Sequence, residues 1–145
     1  MTVQLRNDLQ VKAFELAGDK RAIDDAVVAQ DAVRSGALVQ HTLMSLDPAT
    51  NKWVPFDSAV AVDGTEFPRG ILNHIIPEAD IQAGDVEDVN ITVGNLVFNE
   101  NQLTIEGGLT LETIITTAAC SVRSWLRQLQ LYAEAADYVD RGENA

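Results

Sequence analysis

Few residues in this chain have the chemistry of catalysts or metal ligands, and they are scattered. His41 and His74 are the two histidines, and Cys120 is the single cysteine. His41 stands beside Gln40 and Thr42 in an apolar segment, and His74 between Asn73 and Ile75. Pairing of those segments as strands would bring the imidazoles close enough to share a metal, yet no cysteine or carboxylate lies at ligand spacing around them. Cys120 with either histidine would make a thiol dyad, but none of the three carries the local motif of such an enzyme. Asp80, Asp85, Glu87 and Asp88 form the densest acidic stretch. It lacks the alternating Asp/Asn series, closed by glycine and a distal glutamate, of a calcium loop and reads as a solvated loop. Gly107-Gly108 lacks the glycine spacing and lysine of a phosphate cradle, and reads as a turn between sheet and helix. The inventory predicts no enzymatic activity, no cofactor and no metal. Cys120, within Ala118-Ala119-Cys120-Ser121-Val122, reads as a small buried hydrophobe.

The elements that position these residues divide the chain into three regions. In residues 1–35, Val3, Leu5, Leu9, Val11 and Ala13 alternate with polar neighbours over two short pieces, the pattern of a half-buried strand. Gly18-Asp19 interrupts it, and Ile23, Ala26 and Val27 mark one face of a short helix over 20–33. Residues 37–106 read as β, with segments at 38–46, 53–56, 60–62, 70–76, 89–98 and 103–105. Turn signals separate them at Asp47-Pro48, Asp63-Gly64, Pro77, Gly84-Asp85 and Asn99-Glu100-Asn101. Pro55 inside an apolar run places its strand at an edge. Val89, Ile91 and Val93 alternate with Asn90 and Thr92, which predicts one wet face, and Gly94-Asn95 breaks the alternation as a bulge or a close approach would.

Beyond residue 109 the period changes. Leu111, Ile114, Ile115, Ala118, Val122, Leu126, Leu129, Ala133 and Ala136 fall at helical spacing, with Thr110 as cap, and predict a helix through most of 110–139. Trp125 and Tyr132, seven apart, flank that stripe. The fold class expected is α+β, mainly β: a small antiparallel sandwich or barrel-like domain with an extended N-terminal arm and a C-terminal amphipathic helix. Residues 1–35 form the arm and 36–145 the β-rich domain.

At 145 residues, with 46% hydrophobic and 22% charged side chains, the chain has the composition of one globular domain. No apolar run approaches the roughly 18 residues of a membrane span, and MTVQLRNDLQ offers no apolar core for a secretory signal. The net charge is −12, and from Asp47 to Glu112 there are 12 acidic residues against two basic ones. That sign repels phosphates and anionic bilayers, which argues against nucleic acid and membrane as partners.

The stretch from Gly36 to Glu106 carries a resemblance. Leu43-Met44-Ser45-Leu46 leads into the turn Asp47-Pro48-Ala49-Thr50-Asn51-Lys52, then Trp53-Val54-Pro55-Phe56-Asp57. Asp63-Gly64, Gly70-Ile71-Leu72 and Asn90-Ile91-Thr92-Val93-Gly94 follow in order, with Leu103 beyond. In this order the pieces resemble the head-decoration, or capsid-stabilising, proteins of lambda-like tailed phages. The resemblance implies a homotrimer at three-fold positions on the outer surface of the expanded phage head, with the major capsid protein as partner. It also implies an N-terminal arm, here bearing Val3, Leu5, Leu9, Val11 and Phe14, that adds a strand to a capsid-protein sheet. Trp53, Val54, Pro55, Phe56, Ile71, Leu72 and Trp125 are the candidates for core or trimer interface. The rival reading is a small-ligand-binding β domain whose pocket is lined by His41, His74 and Trp53.

Overall fold

The computed structural model describes residues 14–135. Its organising piece is a hairpin of β3 (Leu43–Asp47) and β4 (Lys52–Pro55), paired from Met44↔Pro55 to Asp47↔Lys52. The turn is written in its residues. The Asp47 carboxylate accepts from the Ala49 N–H at 3.0 Å, the Asp47 carbonyl accepts from the Asn51 N–H at 2.8 Å, and Asn51 takes a left-handed φ of 58°. Around this hairpin β2 (Arg21–Val28), β5 (Pro68–Leu72) and β6 (Val86–Gly94) close a five-stranded barrel in the order β2-β4-β3-β5-β6. All pairings are antiparallel except β2–β4, which touch in parallel at Val28↔Trp53. The expectation of a mainly β, barrel-like domain therefore holds.

Strands β3 and β5 are buried on both faces, because the barrel has a core inside it and a second core against its outer wall. Met44 and Leu72 point into the barrel with Ala26, Val28, Trp53, Val89 and Ile91. Their chain neighbours Leu43 and Ile71 point outward, against Phe56, Phe98, Leu126 and Leu131. Such strands read as unbroken apolar runs rather than as alternation. Gly70 is required where β5 crosses the others: a Cβ there would lie 2.5 Å from Ile91 Cγ2 and 2.9 Å from the Thr92 carbonyl oxygen. A short helix, α1 (Glu78–Ala83), adds Ile81 to the barrel core.

The outer core is covered by a three-stranded sheet. At Gly94-Asn95 the chain leaves the barrel. A Cβ on Gly94 would lie 2.9 Å from the Leu129 carbonyl oxygen, and Asn95 is left-handed at φ 58°. This close approach redirects β6 into β7 (Leu96–Asn99). Antiparallel β1 (Glu15–Ala17) and parallel β10 (Leu131–Glu134) flank β7. The two-stranded β8–β9 hairpin (Ile114–Ile115, Cys120–Ser121) and α2 (Val122–Gln128) complete the cover. No described helix is long and apolar enough to cross a membrane.

Several expectations are corrected. Through residue 135 the helix expected over 110–139 is replaced by turns, the β8–β9 hairpin, seven residues of α2 and strand β10, and Ala136 lies outside the described residues. Ile114-Ile115-Thr116-Thr117 is a β-branched run, which disfavours helix. Ala119 and Gln130 take φ of 54° and 62°, stops that no helix accommodates. Thr110 caps a turn, accepting from the Glu112 N–H at 3.2 Å. Trp125 thus stands on α2 and Tyr132 on β10, rather than both flanking one helical stripe. The helix expected over 20–33 is β2, with Ala26 and Val28 turned inward, so a region assigned to the arm is a barrel stave. Pro55 lies in a closed barrel rather than at an edge. It is tolerated because β2 and β4 pair only at Val28↔Trp53, leaving no ladder bond at Pro55 to lose. Thr92 is buried rather than wet, and its hydroxyl donates to Asn73 Oδ1 at 3.0 Å. Residues 60–62 form an exposed loop, not a strand, and 103–105 contribute only the Thr42↔Thr104 bridge.

Candidate interaction surface

The three-stranded sheet brings both described ends of the chain to one place. Glu15 of β1 lies opposite Phe98 on one side of β7, and Ala133 of β10 lies opposite Phe98 on the other. Because β1 is antiparallel and β10 parallel to β7, Phe14 and Ala135 both lie at its Asn99 end. Two strand spacings separate them laterally, about 10 Å. Val3, Leu5, Leu9 and Val11 lie outside the described residues.

Phe14 is the anchor at this exit. Its ring is buried, stacked on His41 with centroids 3.7 Å apart and planes 5° from parallel, and it meets Phe98 at 5.5 Å. The Asn99 N–H donates to the Phe14 carbonyl at 2.8 Å. Phe14 is thus part of the folded body and not of an outward-reaching arm. His41 is held by backbone bonds on both sides, to the Leu72 carbonyl at 2.8 Å and from the Thr104 N–H at 3.0 Å. Burial lowers its pKa; the nearby Lys20 adds to the lowering and Glu15 opposes it.

Beside Phe14 runs a groove of about 530 Å³, lined by the aliphatic Leu103, Ile105, Leu109 and Leu111 together with the polar Glu100, Thr104, Thr110 and Glu112. Arg123, from the first turn of α2, holds the rim in shape. Its Nη2 donates to Glu100 Oε2 and to Glu112 Oε1, each at 2.7 Å, and Nη1 reaches the Ala133 carbonyl of β10 at 3.4 Å. The paired carboxylates raise the Arg123 pKa, so the guanidinium stays charged. On the far side Arg34 clamps Glu106 through two bonds, at 2.5 and 3.0 Å, tying the loop after β2 to the groove segment. With two acids against one bound base, the rim keeps a net negative charge.

The remaining candidates fall elsewhere. Phe56, Ile71 and Leu72 are fully buried and Trp53 nearly so, which assigns them to the cores. Val54 and Pro55 are half-buried in the barrel wall. Trp125 is half-buried against Phe67, with Nε1 donating to the Pro68 carbonyl at 2.8 Å. His74 accepts the Asn90 N–H at Nε2 (3.2 Å), and Nδ1 lies 3.4 Å from the Ile75 carbonyl, a pattern that assigns the proton to Nδ1. The imidazole at position 41 is stacked on Phe14 and the indole at position 53 lies inside the barrel, so the two do not share a pocket. Cys120 is half-buried in β9 opposite Ile115. Among the described residues no three His, Cys, Asp or Glu side chains converge as metal ligands.

The Arg123 cluster and the groove were not foreseen. Arg123 lies 11 and 23 residues from its partners, so no local spacing announces them. Leu103 and Ile105 do show alternation, which marked them as a strand and not as a groove floor. Models of known protein families give no match to this chain, and no curated protein matches it.

Proposed function

We propose that this chain is a phage head-decoration protein, a non-enzymatic homotrimer that binds the expanded head at three-fold positions and stabilises it. The observation that carries the reading is that Phe14 and Ala135, the limits of the described residues, lie at one end of the β1-β7-β10 sheet of a body whose barrel is closed. The closed barrel offers no edge to a foreign sheet, and the edge strands β1 and β10 of the outer sheet are only three and four residues long. The strand-patterned residues Val3, Leu5, Leu9 and Val11 supply the adhesive element instead, and Phe14 fixes its root. One such arm binds weakly because ordering it costs conformational entropy. Three arms on a trimer act at high effective concentration, so attachment exceeds that of any single contact. A ligand that binds only the mature shell stabilises it by mass action.

The acidic body suits this role, since like charge keeps neighbouring copies from associating where the shell does not direct them. The test is co-sedimentation of the purified protein with expanded empty heads of lambda-like phages, followed by negative-stain imaging. Density at three-fold positions is expected, together with its loss on deletion of residues 1–13 while the melting temperature stays unchanged. Heads that remain bare with the full chain overturn the reading. Equal coating by the truncated chain overturns the role of the arm.

A further inference from the structure

Residues 103–105 are paired on one side only. The Thr104 N–H donates to the His41 carbonyl at 3.0 Å, and the Thr104 carbonyl accepts from the Leu43 N–H at 2.9 Å. These are the two bonds of the parallel Thr42↔Thr104 bridge. In an extended chain the backbone groups of successive residues point to opposite edges. The Leu103 carbonyl and both backbone groups of Ile105 therefore turn away from the barrel, and among the described residues none of the three has a hydrogen-bond partner. The chain then turns at Gly107-Gly108, both left-handed at φ 72°, and residues 109–112 line the same groove as residues 103–105. Leu103 and Ile105 stand two apart, so their half-buried side chains share one face, and Leu109 and Leu111 extend the aliphatic lining. A free backbone edge beside aliphatic side chains has the two parts of a strand-adding site. Main-chain bonds give affinity, and apolar contacts at alternate positions give selectivity.

We propose that this groove receives an extended segment of another protein, aliphatic at alternate positions and free of acidic residues, which pairs with residues 103–105 as an added strand. A polypeptide backbone is the partner that presents donors and acceptors at the strand repeat, as Leu103 and Ile105 require. The aliphatic lining selects apolar side chains at i and i+2. Residues 14–135 hold 18 acidic and seven basic side chains, so like charge disfavours an acidic peptide or a second copy of this chain. The carboxylates of Glu100 and Glu112 are already held by Arg123 and take no part in the selection. The edge offers the incoming strand three backbone groups, each bond being worth little net, so apolar contact carries much of the affinity. Neither heads nor trimers enter this inference, which stands apart from the decoration reading.

The test titrates the full 15N-labelled chain with a blocked heptapeptide that has lysine at each end and valine alternating with threonine between. Amide signals of Leu103, Ile105, Leu109 and Leu111 should shift saturably. Exchange of the Ile105 amide, fast in the free chain, should slow by about tenfold or more at saturating peptide. Two further peptides, N-methylated on the valines or on the threonines, block opposite backbone edges. One of them should bind about tenfold more weakly than the parent peptide or worse. Absent or unselective shifts at millimolar peptide overturn the proposal, and equal binding of all three peptides overturns backbone pairing. An Ile105 amide that is already slow in the free chain at low concentration also overturns it, because a segment of the same molecule then covers the edge. One that slows as the protein is concentrated without peptide assigns the groove to a second copy and overturns it too.

Discussion

Phe14→Ala tests whether the exit of the chain is a built anchor. Truncating a buried phenyl costs roughly 3–5 kcal/mol. Phe14 sits at the start of a three-residue strand that relaxes more readily than a barrel core, so the lower end, about 3 kcal/mol, is expected. At about 2–4 °C per kcal/mol for a chain of this size, the melting temperature should fall by about 6–12 °C. The Asn99 amide, which donates to Phe14, should also exchange faster. A second signature comes from His41. Burial under Phe14 lowers its pKa, so the unfolded chain takes up a proton at a pH where the folded chain does not. Stability from this site is therefore complete above the ordinary histidine value of about 6.5 and is lost as pH falls through the depressed folded value. Without the phenyl ring His41 meets water, and this part of the acid sensitivity should flatten. Thermal melts of both proteins across that pH range read both effects. A variant melting within about 2 °C of the parent, or one that keeps the parent's pH slope, refutes the anchor.

Two further substitutions separate the cores. Trp53→Ala should destabilise the fold by roughly 3–5 kcal/mol in denaturant melts, and a stable variant defective only in assembly would instead place Trp53 at an interface. Gly70→Ala forces a methyl group against Ile91 and Thr92 and should cost about 1–3 kcal/mol by overpacking. The control Gly84→Ala, where a Cβ meets nothing within 4 Å, should cost far less, and equal losses would refute the close approach.

Much of the barrel was legible because its signals are local. Asp47, Asn51 and the Asp63-Gly64 step set turns by their own side chains and dihedrals, and the apolar strands between them followed. Burial was also legible where the period was not. Leu111, Ile115, Val122, Leu126 and Ala133 are all buried, as an apolar stripe predicts, yet they reach the core from a turn, a strand, a helix and another strand. Coincidental i, i+3, i+4 spacing imitated one helix, while the left-handed Ala119 and Gln130 carry no sequence signal that marks a stop. Arg21–Val28 shows the opposite failure. Its residues pair with β6 partners 58 to 73 positions away, and that pairing overrides weak local preference. The groove was invisible for a related reason: its rim is assembled by Arg123 from residues that only the tertiary fold brings together.

The flanking of Phe98 by Glu15 and Ala133 has a practical consequence for engineering. A short bridge could join Phe14 to Ala135, and fresh ends could then be opened at the exposed loop 60–62. Cargo fused at such a relocated opening would no longer be attached at the Asn99 end of β7.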